Sequence, residues 1–183
     1  MEFVGVALAG GNSSRMGRDK AQLVRANQTM LEFTKSLLVD VGAQKVIVSV
    51  RQGSERGTPD KFSNSGPLAG LEAIMSLQPI GTWCLFCPID LPHLTPSVLL
   101  GLLEQASNEQ SAIYYHGHPL PLLLQATASN LSLLTDLLKQ QDNLSIKHYL
   151  SLINASVLVA TPAQELINTN TPAQWQLAIK KIN

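Results

Sequence analysis

The chain has 183 residues, 45% of them apolar and 14% charged, so it can bury a core without disulfide or metal crosslinks. Thirteen Lys and Arg residues balance thirteen Asp and Glu residues, which argues against the basic surface that duplex nucleic acid requires. Two cysteines are too few for a secreted disulfide scaffold, and no apolar run approaches the ~20 residues of a membrane span. We therefore expect one cytoplasmic domain over residues 1–183, with neither nucleic acid nor a membrane as its partner.

The predicted elements alternate between strands and helices along the chain. Short apolar and β-branched runs predict strands at residues 3–9, 45–50, 83–87, 112–115, 120–124 and 156–160. Apolar residues at helical spacing predict helices at residues 30–41, 68–75, 96–103, 131–138, 146–150 and 172–182. This alternation is typical of an α/β fold in which helices cover both faces of a mostly parallel sheet.

Local signals mark several element ends. Thr29 and Glu32 have the spacing of a capping box, and Gly42 is placed to stop the helix that begins there. Pro96 stands at the first position of a later helix. Residues 51–66 are polar and contain Gly and Pro, and they predict a long loop of the kind that is usually functional or mobile.

The segment most informative about chemistry is LAGGNSSRMGRDK at residues 8–20, which follows the first predicted strand. It therefore lies at a carboxyl strand end, where open α/β sheets bind ligands. Gly10 and Gly11 let the backbone approach a ligand closely, whereas Arg15 can bind phosphate as a fork and Lys20 as a point charge. The spacing matches neither the Walker P-loop nor the dinucleotide fingerprint. Together, these residue types predict a polyphosphate site.

Asp90 is the candidate metal ligand. It lies in PIDLP at residues 88–92, just past an apolar strand, and the two prolines restrict the backbone around it. Mg²⁺ takes one or two carboxylates together with waters and substrate phosphates, so one Asp beside a triphosphate loop is chemically sufficient. The structural alternative is that Asp90 caps the turn before Thr95.

Four segments, in order, resemble the molybdenum cofactor guanylyltransferase family: LAGGNSSRMGRDK, GPLAG at residues 66–70, LFCPIDLP at residues 85–92, and INTNTPAQW at residues 167–175. The resemblance implies a Rossmann-like, three-layer αβα nucleotidyltransferase fold. It also implies Mg²⁺-dependent transfer of GMP from GTP to molybdopterin cofactor, with release of pyrophosphate. Cofactor-delivery proteins are further partners that the resemblance suggests.

The resemblance also assigns site residues. Asp60 is similar to the family's acidic residue upstream of GPLAG, which contacts the nucleotide; a solvated loop carboxylate is the alternative. The implied nucleotide-binding residues are Leu8, Ala9, Gly10, Gly11, Lys20, Asp60 and Asp90. The implied catalytic residues are Arg15, Lys20 and Asp90, and Asp90 is the implied Mg²⁺ ligand.

Two departures from the family pattern bear on base recognition. Residues 51–59 form a shorter segment than the family shows, and Ser49 stands where the family often has Asn. They keep open a related nucleotidyltransferase with another base or acceptor, such as a cytidylyltransferase of molybdenum cofactor. A catalytically weak nucleotide- or cofactor-binding module is an alternative of another class, and the joint presence of Arg15, Lys20 and Asp90 argues against it.

Three residue pairs have both a structural and a functional interpretation: Cys84 and Cys87, His116 and His118, and Asn168 and Asn170. Positions three apart in a strand point to opposite faces, so the cysteines are expected in the core rather than at a metal or redox site. The histidines flank a predicted hairpin turn, either simply exposed or, with Pro119, near the acceptor. The asparagines either organise a turn or face the acceptor and metal-bound water.

Overall fold

The computed structural model describes residues 1–10, 19–52, 57–62, 65–107, 109–141, 143–159, 163–180 and 182. Its strands are β1 (Phe3–Leu8), β2 (Val24–Arg25), β3 (Gln28–Thr29), β4 (Lys45–Val50), β5 (Thr58–Pro59), β6 (Trp83–Pro88), β7 (Ala112–Tyr115), β8 (His118–Gln125) and β9 (Ser156–Leu158). Its α-helices are α1 (Met30–Asp40), α2 (Gly66–Met75), α3 (Pro96–Glu104), α4 (Ala128–Gln140), α5 (Ile146–Leu152) and α6 (Pro172–Ile179). Short 3₁₀ turns lie at Lys20–Gln22 and Ala163–Leu166.

The described strands form a mostly parallel sheet, as predicted. Its order is β5-β4-β1-β6-β8-β7-β9, and β2 and β3 form a separate small hairpin. Within the described part of the seven-stranded sheet, only β8 runs antiparallel to its neighbours, because a tight turn joins it to β7. All the other neighbouring pairs in the sheet are parallel. The carboxyl ends of β1, β4 and β6 therefore lie along one edge.

Helices cover both faces of the sheet, which confirms the three-layer expectation. Alternate residues of β1 enter different cores: Phe3 and Ala7 pack with α1 and α3, whereas Val4 and Val6 pack with α2, α4 and α5. Cys84 and Cys87 divide between the two cores in the same way, both fully buried. Burial raises the pKa of both thiols, to about 12 for Cys84, so they remain protonated and pack as small apolar side chains.

The local signals in the sequence correctly mark the helix ends. The hydroxyl of Thr29 accepts from the Glu32 backbone N–H at 3.2 Å, and the Glu32 carboxylate accepts from the Thr29 N–H at 2.8 Å. Gly42 adopts φ +92°, a left-handed conformation that glycine tolerates after a helix. Pro96 begins α3.

In the described part of the chain, the prediction of a continuous loop at residues 51–66 is wrong at two points, since α2 already begins at Gly66 and a short strand forms within the segment. Thr58 and Pro59 pair in parallel with Ser49 and Val50 and so add β5 to the sheet edge. Pro59 is tolerated there because an edge strand needs no donor on its outer side.

No helix in the described ranges is long and apolar enough to cross a bilayer.

Candidate functional site

The carboxyl edge of the sheet brings three parts of the chain together. Leu8, the last residue of β1, is paired with Ser49 on one side and with Pro88 on the other. Ala9 donates its N–H to the Ser49 carbonyl at 2.8 Å, and Arg51 Nε donates to the Gly10 carbonyl at 2.8 Å. The start of the glycine loop is thus fixed to β4, at the edge where parallel sheets bind ligands.

Most of the glycine loop lies outside the described residues. Residues 11–18 belong to this part, so the structure does not place Gly11 or Arg15. Their predicted contacts with phosphate stay predictions. Leu8, Ala9 and Gly10 are described, and they lie where the sequence predicts, at the end of the first strand.

Lys20 and Asp90 form an ion pair, although they lie 70 positions apart in the chain. Lys20 Nζ is 3.2 Å from Asp90 Oδ2, and the two side chains are 14% and 20% exposed. Asp19 caps the 3₁₀ turn that carries Lys20 by accepting from the Ala21 N–H at 3.0 Å. A pair so little exposed is screened by salt less than a surface pair. The structure therefore joins two of the three predicted catalytic residues.

The carboxylate of Asp90 has a described partner from a distant segment of the chain. Its Oδ2 accepts from Lys20 Nζ at 3.2 Å. Thr95, at the start of α3, has no side-chain cap bond in the described chain. The described contact of the Asp90 carboxylate joins it to Lys20, and its role as a metal ligand stays a prediction.

Asn170 is the third member of this cluster. Its Oδ1 accepts from Lys20 Nζ at 2.7 Å, and its backbone N–H donates to the Gln174 side chain at 2.8 Å. Gln174 also forms a capping box with Thr171 at the start of α6. The cap of α6 thereby holds Asn170 against Lys20. Asn168 is exposed, and no contact among the described residues joins it to Lys20 or Asp90.

Two residues that hold the Asp90 turn have no signal of their own in the sequence. Thr169 is 2% exposed and donates both its N–H, at 2.9 Å, and its hydroxyl, at 3.3 Å, to the Asp90 carbonyl. Arg25 Nε donates to the Pro92 carbonyl at 2.6 Å, while its guanidinium stacks 4.0 Å from the centre of the Phe33 ring. Burial lowers the pKa of Arg25. Only the position of Thr169 between the two predicted asparagines could have drawn attention to it.

Asp60 is not a fully solvated loop carboxylate. Its N–H donates to the Val50 carbonyl at 3.0 Å, which places it directly after the β5 pairing. The Ser49 hydroxyl donates to Asp60 Oδ1 at 3.5 Å. Burial raises the pKa of Asp60 to about 6, against the lowering effects of the Ser49 hydrogen bond and the Arg51 charge. A Cβ atom added to Gly10 would be 3.4 Å from Asp60 Oδ2, so Asp60 lies beside Gly10; its contact with a nucleotide stays a prediction.

His116 and His118 flank the β7–β8 turn. Because β7 is parallel to β6 in direction, this turn lies at the same sheet edge as Asp90. His116 is exposed and donates its N–H to the Leu158 carbonyl at 2.6 Å. Their contact with an acceptor remains a prediction.

Asp90 is the carboxylate in the Lys20–Asp90–Asn170 cluster that could hold a metal ion. No group of three or more His, Cys, Asp or Glu side chains converges anywhere in the described ranges. This excludes, for that part of the chain, a cage built wholly from protein ligands. A Mg²⁺ ion that keeps its waters and takes substrate phosphates needs only one or two carboxylates, so the donor set fits it.

The family assignment follows from the sequence comparison. The MobA-like NTP transferase domain matches residues 5–154, which include Lys20, Asp60 and Asp90. The chain belongs to this family. It is a nucleotidyltransferase, as the resemblance implied.

Named relatives agree with this assignment. A molybdenum cofactor guanylyltransferase of Xanthomonas euvesicatoria pv. vesicatoria is 34% identical over 97% of this chain and 94% of its own length. A probable molybdenum cofactor guanylyltransferase of Bacillus mycoides is 27% identical over 98% of this chain and 96% of its own.

Solved structures share the fold at low identity. The molybdopterin-guanine dinucleotide biosynthesis protein A of Archaeoglobus fulgidus superposes with a TM-score of 0.78 at 20% identity and covers 98% of both chains. The 2-C-methyl-D-erythritol 4-phosphate cytidylyltransferase of Thermus thermophilus reaches 0.72 at 15% identity, covering 100% of this chain and 99% of its own. The predicted α/β nucleotidyltransferase fold is confirmed.

Proposed function

We propose that this nucleotidyltransferase transfers GMP from GTP to molybdopterin cofactor and releases pyrophosphate, with residues 1–183 acting as one domain. The cluster of Lys20, Asp90 and Asn170 beside the glycine loop supports this most directly. It joins three of the segments that carry the resemblance at one sheet edge. The relative that is 34% identical over 97% of the chain supports the choice of guanine and of molybdopterin.

Nucleotide binding falls to the residues along the carboxyl edge. The backbone of Leu8, Ala9, Gly10 and Gly11 would approach the phosphates, and Lys20 and Arg15 would bind the β- and γ-phosphates. Asp60, beside Gly10, would accept from the nucleoside part. Asp90 would hold Mg²⁺, which would supply charge neutralisation at the phosphate oxygens when bound.

The transfer step needs no side chain as a nucleophile. The terminal phosphate oxygen of the acceptor attacks the α-phosphorus of GTP, and the bond to the oxygen that bridges the α- and β-phosphates breaks. Pyrophosphate leaves with that electron pair. The attacking phosphate is already anionic, so a strong general base is unnecessary, and the protein contributes position and positive charge. Arg15 and Lys20 stabilise the departing pyrophosphate.

The same proposal covers partners and compartment. Because the donor is GTP, we place the reaction in the cytoplasm, where cofactor-delivery proteins would be the protein partners. In this proposal His116, His118 and Asn168 would face the acceptor.

The test is a comparison of nucleotides. Pure protein is incubated with Mg²⁺, molybdopterin and each NTP in turn, and pyrophosphate release is measured with and without the acceptor. We expect release with GTP that depends on the acceptor. Release with CTP instead would favour the cytidylyltransferase alternative. Nucleotide binding without release under any combination would favour the binding-module alternative.

A further inference from the structure

The Asp60 carboxylate lies between two glycines that leave room for it. A Cβ atom added to Gly10 would be 3.4 Å from Asp60 Oδ2, and one added to Gly70 would be 3.6 Å from Asp60 Oδ1. The two carboxylate oxygens thus have different surroundings. Oδ2 lies towards the glycine loop, whereas Oδ1 lies towards α2 and β4.

Ser49 occupies the Oδ1 side of this carboxylate. Its side chain is almost fully buried at 1% exposure, and its hydroxyl lies 3.5 Å from Asp60 Oδ1. Its carbonyl accepts from the Ala9 N–H at 2.8 Å, so the same residue also fixes the start of the glycine loop. A Cβ added to Gly70 would be only 2.6 Å from Ser49 Oγ, so the absence of a side chain at position 70 leaves space for this hydroxyl.

We propose that Ser49 is a positioning residue for nucleotide recognition, which holds the Asp60 carboxylate with Oδ1 turned towards β4 and Oδ2 beside Gly10. In this orientation Oδ2 accepts an N–H or O–H donor from the nucleoside part of the bound nucleotide. The inference rests on the function proposed above, because that function identifies the bound ligand as a nucleoside triphosphate. It does not depend on which base that ligand carries.

The electrostatics of the site agree with this role. Burial favours the neutral form of Asp60, and a neutral carboxyl is a poorer acceptor. The Ser49 hydrogen bond and the positive charge of Arg51 both favour the ionised form. Ser49 therefore supports the charge of the carboxylate as well as its direction.

A purely structural role for Ser49 makes a different prediction from a role through Asp60. Loss of a buried hydroxyl that only fills space would weaken every ligand or the fold itself. Loss of one that orients Asp60 would weaken only ligands with a nucleoside, and only while Asp60 is present. A double-mutant cycle separates the two.

The experiment measures GTP and inorganic triphosphate binding by calorimetry for wild type, Ser49→Ala, Asp60→Ala and the double variant. We expect Ser49→Ala to weaken GTP by about three- to ten-fold, the range for one hydrogen bond, and to leave triphosphate unchanged. In the Asp60→Ala background the same change should have no further effect. Thr34→Val removes another buried hydroxyl, bonded to the Met30 carbonyl, and should change neither ligand.

Gly70→Ala provides a second variant if Ser49→Ala does not fold. The added methyl would be 2.6 Å from Ser49 Oγ, so that hydroxyl must rotate away, and 3.2 Å from Leu8 Cδ2, so the end of the Leu8 side chain must shift by a few tenths of an ångström. It should therefore reproduce the selective loss of GTP. Equal losses of GTP and triphosphate, or a loss that persists without Asp60, would overturn the role of Ser49.

Failure of the proposed function would look different. If wild type binds another nucleoside triphosphate better than GTP, guanine transfer is wrong, and the cycle is run with that nucleotide. If wild type binds triphosphate but gains nothing from any nucleoside, the Ser49 inference is wrong as well.

Discussion

Asp90 is the residue on which the proposed chemistry depends most. Asp90→Asn keeps the size of the side chain and removes the charge that would hold Mg²⁺. We expect transfer to fall by about 100-fold or more, because a metal ion contributes several kcal/mol of charge stabilisation. Thermal unfolding should change little, since the partly exposed side chain lies outside both cores and Lys20 keeps Asn170 as a partner. Near-normal transfer with an unchanged Mg²⁺ dependence would refute the assignment.

Lys20 gives a test of which part of the nucleotide the ion-pair cluster binds. We expect Lys20→Ala to weaken the binding of GTP by about ten-fold more than the binding of GMP, because GMP lacks the distal phosphates that Lys20 is proposed to bind. Titration of both nucleotides measures the ratio. Lys35→Ala removes an exposed lysine of α1 and serves as the control. A similar loss of affinity for both nucleotides would show that Lys20 does not bind the distal phosphates.

At the scale of elements, the cap of α6 links helix stability to the site. The Gln174 side chain accepts from the N–H groups of both Asn170 and Thr171, so Gln174→Ala should loosen the residue that binds Lys20. We expect a loss of about 1 kcal/mol in unfolding free energy from the broken cap, together with reduced transfer.

The matched control for this prediction is the other capping box. Glu32 accepts from the Thr29 N–H at the start of α1, so Glu32→Ala should cost a similar free energy of unfolding. No contact among the described residues joins Glu32 to Lys20 or Asp90. Its transfer activity should therefore stay near that of wild type. If both variants lose activity equally, the loss reflects stability alone.

The elements show what could and could not be predicted from the sequence. Helix ends such as Thr29 and Pro96 carry their own local chemistry, so they could be predicted from neighbouring residues. β5 could not, because Thr58 and Pro59 become a strand only by pairing with β4, which is a tertiary contact. Thr169 and Arg25 act through the backbone carbonyls of the Asp90 turn, and backbone contacts at long range leave no pattern in side-chain types.

At the scale of the whole molecule, the parallel sheet is what assembles the site. The segments that carry Lys20, Asp90 and Asn170 are far apart in the sequence, yet each follows or packs beside a strand end at the same edge. Their chemistry could be predicted from the residue types and the family resemblance. The way they join could not, because the Lys20–Asp90 and Lys20–Asn170 contacts depend on strand order and on the cap of α6.

The burial of Asp60 should also make the free energy of unfolding of the whole molecule depend on pH. Its pKa is raised from 3.8 to about 6 in the folded chain, so between these values the folded state binds more protons than the unfolded one. Stability therefore falls as pH rises through this window, and above about pH 6 the charge of the partly buried carboxylate destabilises the folded chain.

Asp60→Asn should remove that destabilisation and stabilise the protein at about pH 8 by about 1 kcal/mol, a value that allows for solvent screening. The advantage should shrink towards about pH 4, where wild-type Asp60 is mostly protonated in the folded state. Denaturant unfolding at both pH values measures the difference, with Asp136→Asn on the exposed face of α4 as the control. If Asp60→Asn stabilises the protein equally at both pH values, the ionised Asp60 carboxylate does not lower the stability of the folded chain, and the prediction is wrong.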